Sequence, residues 1–138
     1  MQVQFLKDTT EKWADQGHRT LIFAHHRGTL DILEFVFANT EGINACRIDG
    51  ATSAKKLAFL VKHFNSDESM FNVLLMSTKV GSEGLTLTGA SKCVVFEPVW
   101  TQAESDQAVA RICRPGQRFE CESLFLIAAG TVEEKVSY

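Results

Sequence analysis

Proline is scarce in this chain, confined to Pro98 and Pro115, and no repeat or low-complexity stretch interrupts it. Without a linker on which to divide them, the 138 residues read as one domain. Long apolar runs are missing too. Nothing approaches the length of a membrane span, and Met1 to Asp15, with Lys7, Asp8, Glu11 and Lys12, has no signal-peptide apolar stretch. No membrane partner is expected, and the protein reads as soluble and intracellular. Positive charge is in short supply: 14 Lys and Arg against 17 Asp and Glu give a net charge of −3. That excludes a strongly basic nucleic-acid module, though not a local basic patch. The cysteines, Cys46, Cys93, Cys113 and Cys121, include no Cys-x-x-Cys pair. They read as buried thiols in a reducing compartment, not as a disulfide or zinc framework.

What the chain does have is core-forming residues. Apolar residues make up 45% and charged residues 22%, a globular composition. A chain of this size buries roughly two thirds of its unfolded surface, enough for a core without covalent staples.

Periodicity then orders the elements. Residues 2–16 are expected to be helical, with Phe5, Leu6, Thr9 and Trp13 on one face and a stop at Gly17. Thr20–Ala24 reads as a buried strand. Leu30, Leu33 and Phe37 mark a helix over 29–38, and Asn44–Ile48 a second strand ended by Asp49-Gly50. Ser53 caps the next helix, whose Leu57, Leu60, Val61 and Phe64 form an apolar stripe. Strands follow at Asn72–Met76, Lys92–Phe96 and Ser123–Ala128, with a helix over 102–114 that Pro115 ends. Thr131-Val-Glu-Glu134 matches a capping box, so a last helix is expected there. Short apolar strands alternating with helices imply a parallel sheet covered on both faces. In such sheets ligands bind where strands end, which directs attention to His25–Gly28, Asp49–Thr52, Ser77–Leu85 and Glu97–Gln102.

Two segments could carry chemistry. Ser77-Thr-Lys79-Val-Gly81-Ser-Glu-Gly84-Leu-Thr-Leu-Thr88 places hydroxyls, a lysine and two glycines where a strand should meet a helix. Such a loop either cradles a phosphate or is simply a tight strand-to-helix turn. In Gln107-Ala-Val-Ala-Arg111-Ile-Cys-Arg114-Pro-Gly-Gln117, Gln107, Arg111 and Arg114 stand at i, i+4 and i+7, one helix face. Two guanidiniums on one face repel unless an anion or acidic neighbours such as Glu104 or Asp106 lie between them. A phosphate-loop signature is absent: Gly50-Ala-Thr-Ser-Ala-Lys55-Lys56 lacks its second glycine and Lys-Ser/Thr end. No Asp-Glu pair follows an apolar strand to hold magnesium. His25-His26 has no third ligand at short spacing, so no metal site is expected. A Cys-His nucleophile, for example Cys46 with His25, is possible only on paper.

Taken together, these segments resemble the C-terminal RecA-like lobe of SWI/SNF-type ATPases within helicase superfamily two. The resemblance runs from about Trp13 to Tyr138. Thr20-Leu-Ile-Phe-Ala-His25 is similar to motif IV. Asp31-Ile-Leu-Glu34, Arg47-Ile-Asp-Gly50 and His63-Phe-Asn65 are similar to intervening blocks. Leu75–Thr88 is similar to motif V, Gln107–Gln117 to motif VI, and Gly130–Lys135 to a closing helix. Details such as Leu85-Thr-Leu-Thr88 lean toward Cockayne-syndrome-B-like repair and remodelling translocases.

The resemblance implies a three-layer α/β RecA-like parallel sheet, with residues 1–138 forming one lobe of a larger nuclear protein. It implies a DNA-dependent ATPase that translocates on double-stranded DNA in chromatin remodelling or repair. Arg114 would be the finger reaching the γ-phosphate of ATP, supported by Arg111. Gln107 would belong to the network between lobes, and Gly81 and Gly84 would lie near the nucleotide. Ser77, Thr78, Lys79, His25, His26 and Arg27 would face the DNA backbone. ATP and Mg2+ would be held mainly by an N-terminal RecA-like lobe, the principal partner alongside double-stranded DNA and nucleosomes. The 138-residue chain alone would then be inactive.

There are departures. Ser82 and Glu83 replace a glycine and an apolar residue, Lys79 an arginine, Pro115 an isoleucine, and Trp100-Thr-Gln102 the usual Trp-Asn-Pro. They leave open an alternative, a degenerate RecA-like lobe acting as a DNA- or protein-binding module. A small α/β enzyme with a thiol or histidine catalyst is the third class.

Overall fold

In chain order the elements are α1 (Gln2–Asp15), β1 (Thr20–Ala24), α2 (Arg27–Ala38), β2 (Ala45–Ile48), α3 (Ala54–Asn65), β3 (Val73–Ser77), β4 (Lys92–Phe96), β5 (Glu122–Ile127) and β6 (Thr131–Ser137). They are seen in a computed structural model that describes residues 2–77, 80, 85–96, 117, 122–127 and 131–137. The expected helix over 102–114 lies outside the described residues.

The strands form one sheet in the order β2-β3-β1-β4-β5-β6. Strands β1 to β5 pair in parallel, as the alternation of strands and helices predicts. Strand alternation sends side chains to two separate cores. Leu21, Phe23, Leu74, Met76, Cys93 and Val95 pack with Leu60 and Phe64 of α3. Ile22, Ala24, Val73, Leu75 and Val94 pack with Leu6 and Trp13 of α1 and Leu30, Leu33 and Phe37 of α2. The three-layer α/β architecture is therefore present: α1 and α2 on one face, α3 on the other.

Local signals place the helix ends. Gly17 takes φ +84°, a conformation glycine adopts without strain, and His18 N–H reaches back to Trp13 O at 2.9 Å to close α1. The Ser53 hydroxyl accepts from Lys56 N–H at 3.1 Å, starting α3 where the cap predicts. At the other end of α3, the Arg19 guanidinium donates to Phe64 O at 2.6 Å and Ser66 O at 2.7 Å. A cation there satisfies orphan carbonyls and complements the helix dipole.

Three expectations need correcting. The core face of α1 is Leu6, Thr10 and Trp13; Phe5 remains 42% exposed, because the helix turns it past the contact with α2 and the sheet. Helix α2 begins at Arg27 rather than residue 29, taking Gly28 into its first turn. Thr131 does not start a helix: Thr131–Ser137 is strand β6, antiparallel to β5, with a register shift at Phe125/Leu126. The capping-box spacing is met by many sequences. Here the open edge of β5 offers a full ladder of backbone hydrogen bonds, and Thr131, Val132 and Val136 are β-branched.

Candidate functional site

Parallel register decides which loops meet. Ala24 lies opposite Ser77, Ile48 opposite Met76 and Phe23 opposite Val95. The segments after β1, β2, β3 and β4 thus leave the sheet at one edge, where α/β sheets bind ligands. His25, His26 and Arg27 follow β1 and are exposed there, the two imidazoles edge to face at 5.0 Å. His26 is the N-cap of α2, and the first turn holds Arg27 and no acid. The positive end of this helix therefore carries an exposed arginine and no carboxylate in its first turn. Ser77 ends β3 beside them. So the structure brings together His25, His26, Arg27 and Ser77. Thr78, Lys79, Gly81, Gly84, Gln107, Arg111 and Arg114 lie outside the described residues.

One residue at this edge was not singled out in the sequence. Arg47 on β2 bonds three carboxylates: Nη1 to Asp31 at 2.6 Å and Glu34 at 3.3 Å, Nε to Asp49 at 2.9 Å. Asp31 and Glu34 stand at i and i+3 on α2, so one guanidinium ties α2 to the turn after β2. The other oxygen of Asp49 accepts from Ala51 N–H at 2.9 Å, and its own N–H donates to Thr52 Oγ1 at 3.0 Å. Two blocks that look separate in sequence, Asp31–Glu34 and Arg47–Gly50, are thus one ionic joint. The pattern that could have revealed it is an arginine alternating with apolar Cys46 and Ile48 on a short strand, downstream of an acidic i, i+3 pair.

Burial works against the charge of Asp49, but the Ala51 N–H, the Arg47 guanidinium and nearby Arg27 outweigh it and hold the carboxyl below its usual range. Burial likewise opposes the charge of Arg47, and Asp31 and Asp49 overcome it, fixing the guanidinium in its charged form. The Arg47 side chain is 12% exposed and Asp49 18%, whereas Asp31 and Glu34 are 64% and 55% exposed and can rehydrate. Replacing Arg47 with Met is therefore expected to cost about 1–2 kcal/mol at neutral pH, mostly through Asp49. Because Asp49 is depressed in the folded state, its contribution is present above the ordinary carboxylate value of about 3.9 and lost as pH falls through its lower folded value. Urea unfolding of both proteins checks this: the gap should be full at pH 7 and shrink as pH falls below the ordinary carboxylate value.

A cleft of about 390 Å³ opens beside the joint, lined by Glu34, Arg47, Asp49, Ala51, Thr52, Ser53 and Lys56. Among the described residues, no three or more His, Cys, Asp or Glu side chains are grouped to hold a metal ion. Nor, among them, is any helix long and apolar enough to cross a membrane. Cys46 and Cys93 are free and buried, and burial pushes both thiols up to about 12. A protonated, buried Cys46 is no nucleophile for His25 to activate. Cys113 and Cys121 lie outside the described residues.

The second chemistry-bearing segment is represented by its last residue. Gln117 Nε2 donates to Ala90 O at 2.6 Å. The tail of the first is held as well: Leu87 is fully buried, and Ala90 N–H closes a turn onto Leu87 O at 3.1 Å.

Comparison with known proteins bears on what this edge does. Residues 1–116 match the helicase conserved C-terminal domain. The chain is 39% identical over 135 residues to Protein CHROMATIN REMODELING 8 of Arabidopsis thaliana, covering 97% of this chain and 11% of that protein. It is 39% identical over 124 residues to human DNA excision repair protein ERCC-6, covering 90% of this chain and 8% of that protein. Among solved structures, the C-terminal part of the Fun30 ATPase domain superposes with a TM-score of 0.79 at 27% identity, over 92% of this chain and 41% of that one. The chain thus spans about a tenth of the length of the curated relatives named. These relatives bear out the SWI/SNF-type resemblance.

Proposed function

We propose, on the premise that this chain belongs to the family of helicase conserved C-terminal domains, that it is the second motor lobe of a nuclear, DNA-dependent ATPase that moves along double-stranded DNA. The observation that carries this reading is that His25–Arg27, which follow the motif IV strand, leave the sheet beside Ser77, within the segment similar to motif V. Two family blocks for a phosphate backbone emerge side by side next to a helix N-terminus.

The chain's residues divide the work. Ser77, Thr78, Lys79, His25, His26 and Arg27 meet phosphodiester oxygens rather than bases, so contact is sequence-independent and weakens with salt. Gly81 and Gly84 let the backbone approach the nucleotide closely. Arg111 and Arg114, on one face with Gln107, meet the γ-phosphate of MgATP held mainly by the N-terminal lobe of the same protein. Their planar, permanently charged forks stabilise the charge that develops as the phosphoryl group transfers. Cleft closure by ATP and opening after hydrolysis change how this lobe holds the duplex, and the cycle advances the motor. The names of two relatives, a chromatin-remodelling protein and a DNA excision repair protein, support assigning this activity to chromatin remodelling or repair.

Hydrolysis of ATP by the whole protein, with and without duplex DNA, tests the reading. DNA should stimulate hydrolysis, stimulation should fall as salt rises from 50 to 200 mM, and the 138-residue chain alone should stay at background. A folded whole protein that binds DNA yet hydrolyses nothing would instead make this a binding lobe, the role to which Ser82, Glu83 and Pro115 point.

A further inference from the structure

We infer that Asn65 is a positioning residue, setting the register of the Leu75–Thr88 segment against α3 and, through the next turn, against the end of the Gln107–Gln117 segment. The inference rests on the function proposed above. Asn65 ends α3, and its side-chain amide reaches away from the helix. Nδ2 donates to Thr86 O at 2.9 Å, and Oδ1 accepts from Gly89 N–H at 2.9 Å. One planar group thus grips the chain at two points three residues apart. The amide supplies both the donor and the acceptor from one planar group.

The contact is close. A Cβ on Gly89 would meet Phe64 O at 2.5 Å and Asn65 Cα at 2.8 Å, so the segment lies directly on the end of α3. That end is itself anchored, because Arg19 donates to Phe64 O and Ser66 O. The helix does not need Asn65 to satisfy those carbonyls; the amide serves residues 21 and 24 positions further on.

Leu87 to Ala90 forms the turn between, with Leu87 fully buried and Ala90 accepting from Gln117. The turn thus follows Thr86 directly and accepts the side chain of Gln117, and Asn65 fixes it to the framework. The motif V segment faces DNA at Ser77, and Gln117 closes the segment that holds Arg111 and Arg114. If the turn shifts, the two lose their relative register even though each can still form. Small displacements of this kind cost rate out of proportion to their size.

The test uses the whole protein, unaltered and with Asn65→Asp or Asn65→Ala. Asp is nearly isosteric and keeps the bond to Gly89, but it turns a carboxylate on Thr86 O. Ala loses both bonds. We expect DNA-free hydrolysis within about twofold of the unaltered protein, while stimulation by saturating duplex DNA falls roughly tenfold, more for Ala than for Asp. Base pairs travelled per ATP should fall in parallel, with KM for ATP unchanged.

A purely structural role predicts something else: a lower Tm, with DNA-free and DNA-stimulated rates reduced by one common factor. That pattern, or unchanged stimulation in a folded variant, overturns the inference. If Asn65→Ala does not fold, Asn65→Asp alone decides. If the unaltered protein shows no DNA stimulation, the functional reading falls and this inference falls with it. A stimulated unaltered protein with indifferent variants sinks the inference alone.

Discussion

Alanine at Arg114 should slow DNA-stimulated ATP hydrolysis by the whole protein at least ~10³-fold, the scale expected of an arginine that meets the transferring phosphoryl group. In barrier terms that is about 4 kcal/mol. The expectation rests on the resemblance of Gln107–Gln117 to motif VI and on the chemistry of the side chain. As the γ-phosphoryl leaves ADP, negative charge spreads over its oxygens, and a planar guanidinium can bond two of them at once. Lysine keeps the charge but not the fork, so Arg114→Lys should recover only a small part of the loss. Steady-state kinetics at saturating DNA make the check specific. An interaction that strengthens in the transition state lowers kcat with little change in KM for ATP. Arg111→Ala should fall in the same direction by a smaller factor. An active protein indifferent to Arg114→Ala would remove that arginine from the mechanism while leaving the fold and family untouched.

The second large effect is on stability. Gly89→Ala should destabilise the protein by about 2–3 kcal/mol, because the added methyl has no room. Its ideal position lies 2.5 Å from Phe64 O and 2.8 Å from Asn65 Cα, both backbone atoms at the end of α3. A flexible side chain could swing aside; a helix end gripped by Arg19 at two carbonyls cannot do so cheaply. Relief would require the turn to lift from α3, stretching both bonds of Asn65 and exposing buried Leu87. Thermal unfolding should show Tm lowered by something on the order of 10 °C. Gly28→Ala supplies the contrast. That glycine lies in the first turn of α2 with nothing within 4 Å of an added Cβ, so alanine there should be neutral or slightly stabilising. Equal losses at the two positions would mean that Gly89 is not held against α3 as described.

These two predictions draw on different kinds of information. The role proposed for Arg114 comes from the chain alone, because the segment similar to motif VI is local: its glutamine and arginines sit within one short segment at helical spacing. The constraint on Gly89 is invisible there, since it comes from the end of α3, 24 residues earlier in the chain. Arg47 is similar. Asp49 lies two residues after it, but its partners on α2 lie 13 and 16 residues before it, so only the fold shows that one guanidinium joins them all.

The N-terminal half followed from local pattern, and for a physical reason. The short buried run Thr20–Ala24, the stripe of Leu30, Leu33 and Phe37, and the Ser53 cap each act over a few residues, so the preferences that name an element also build it. The parallel sheet and its two covered faces follow from the order of those elements. The resemblance to a helicase C-terminal lobe was likewise in the order and spacing of the blocks. What only tertiary structure decided is what depends on partners far along the chain. The β5 edge draws Thr131–Ser137 into a strand despite its helix-start signal. Packing rotates α1 so that Thr10 is buried and Phe5 exposed. Strand register places His25, His26, Arg27 and Ser77 together. Asn65, Gly89 and Gln117 meet around one turn because separated segments are folded against α3. Local propensities set each element at tenths of a kcal/mol per residue, whereas a new ladder of hydrogen bonds or a buried apolar face contributes several-fold more, and so the long-range terms prevail where the two conflict.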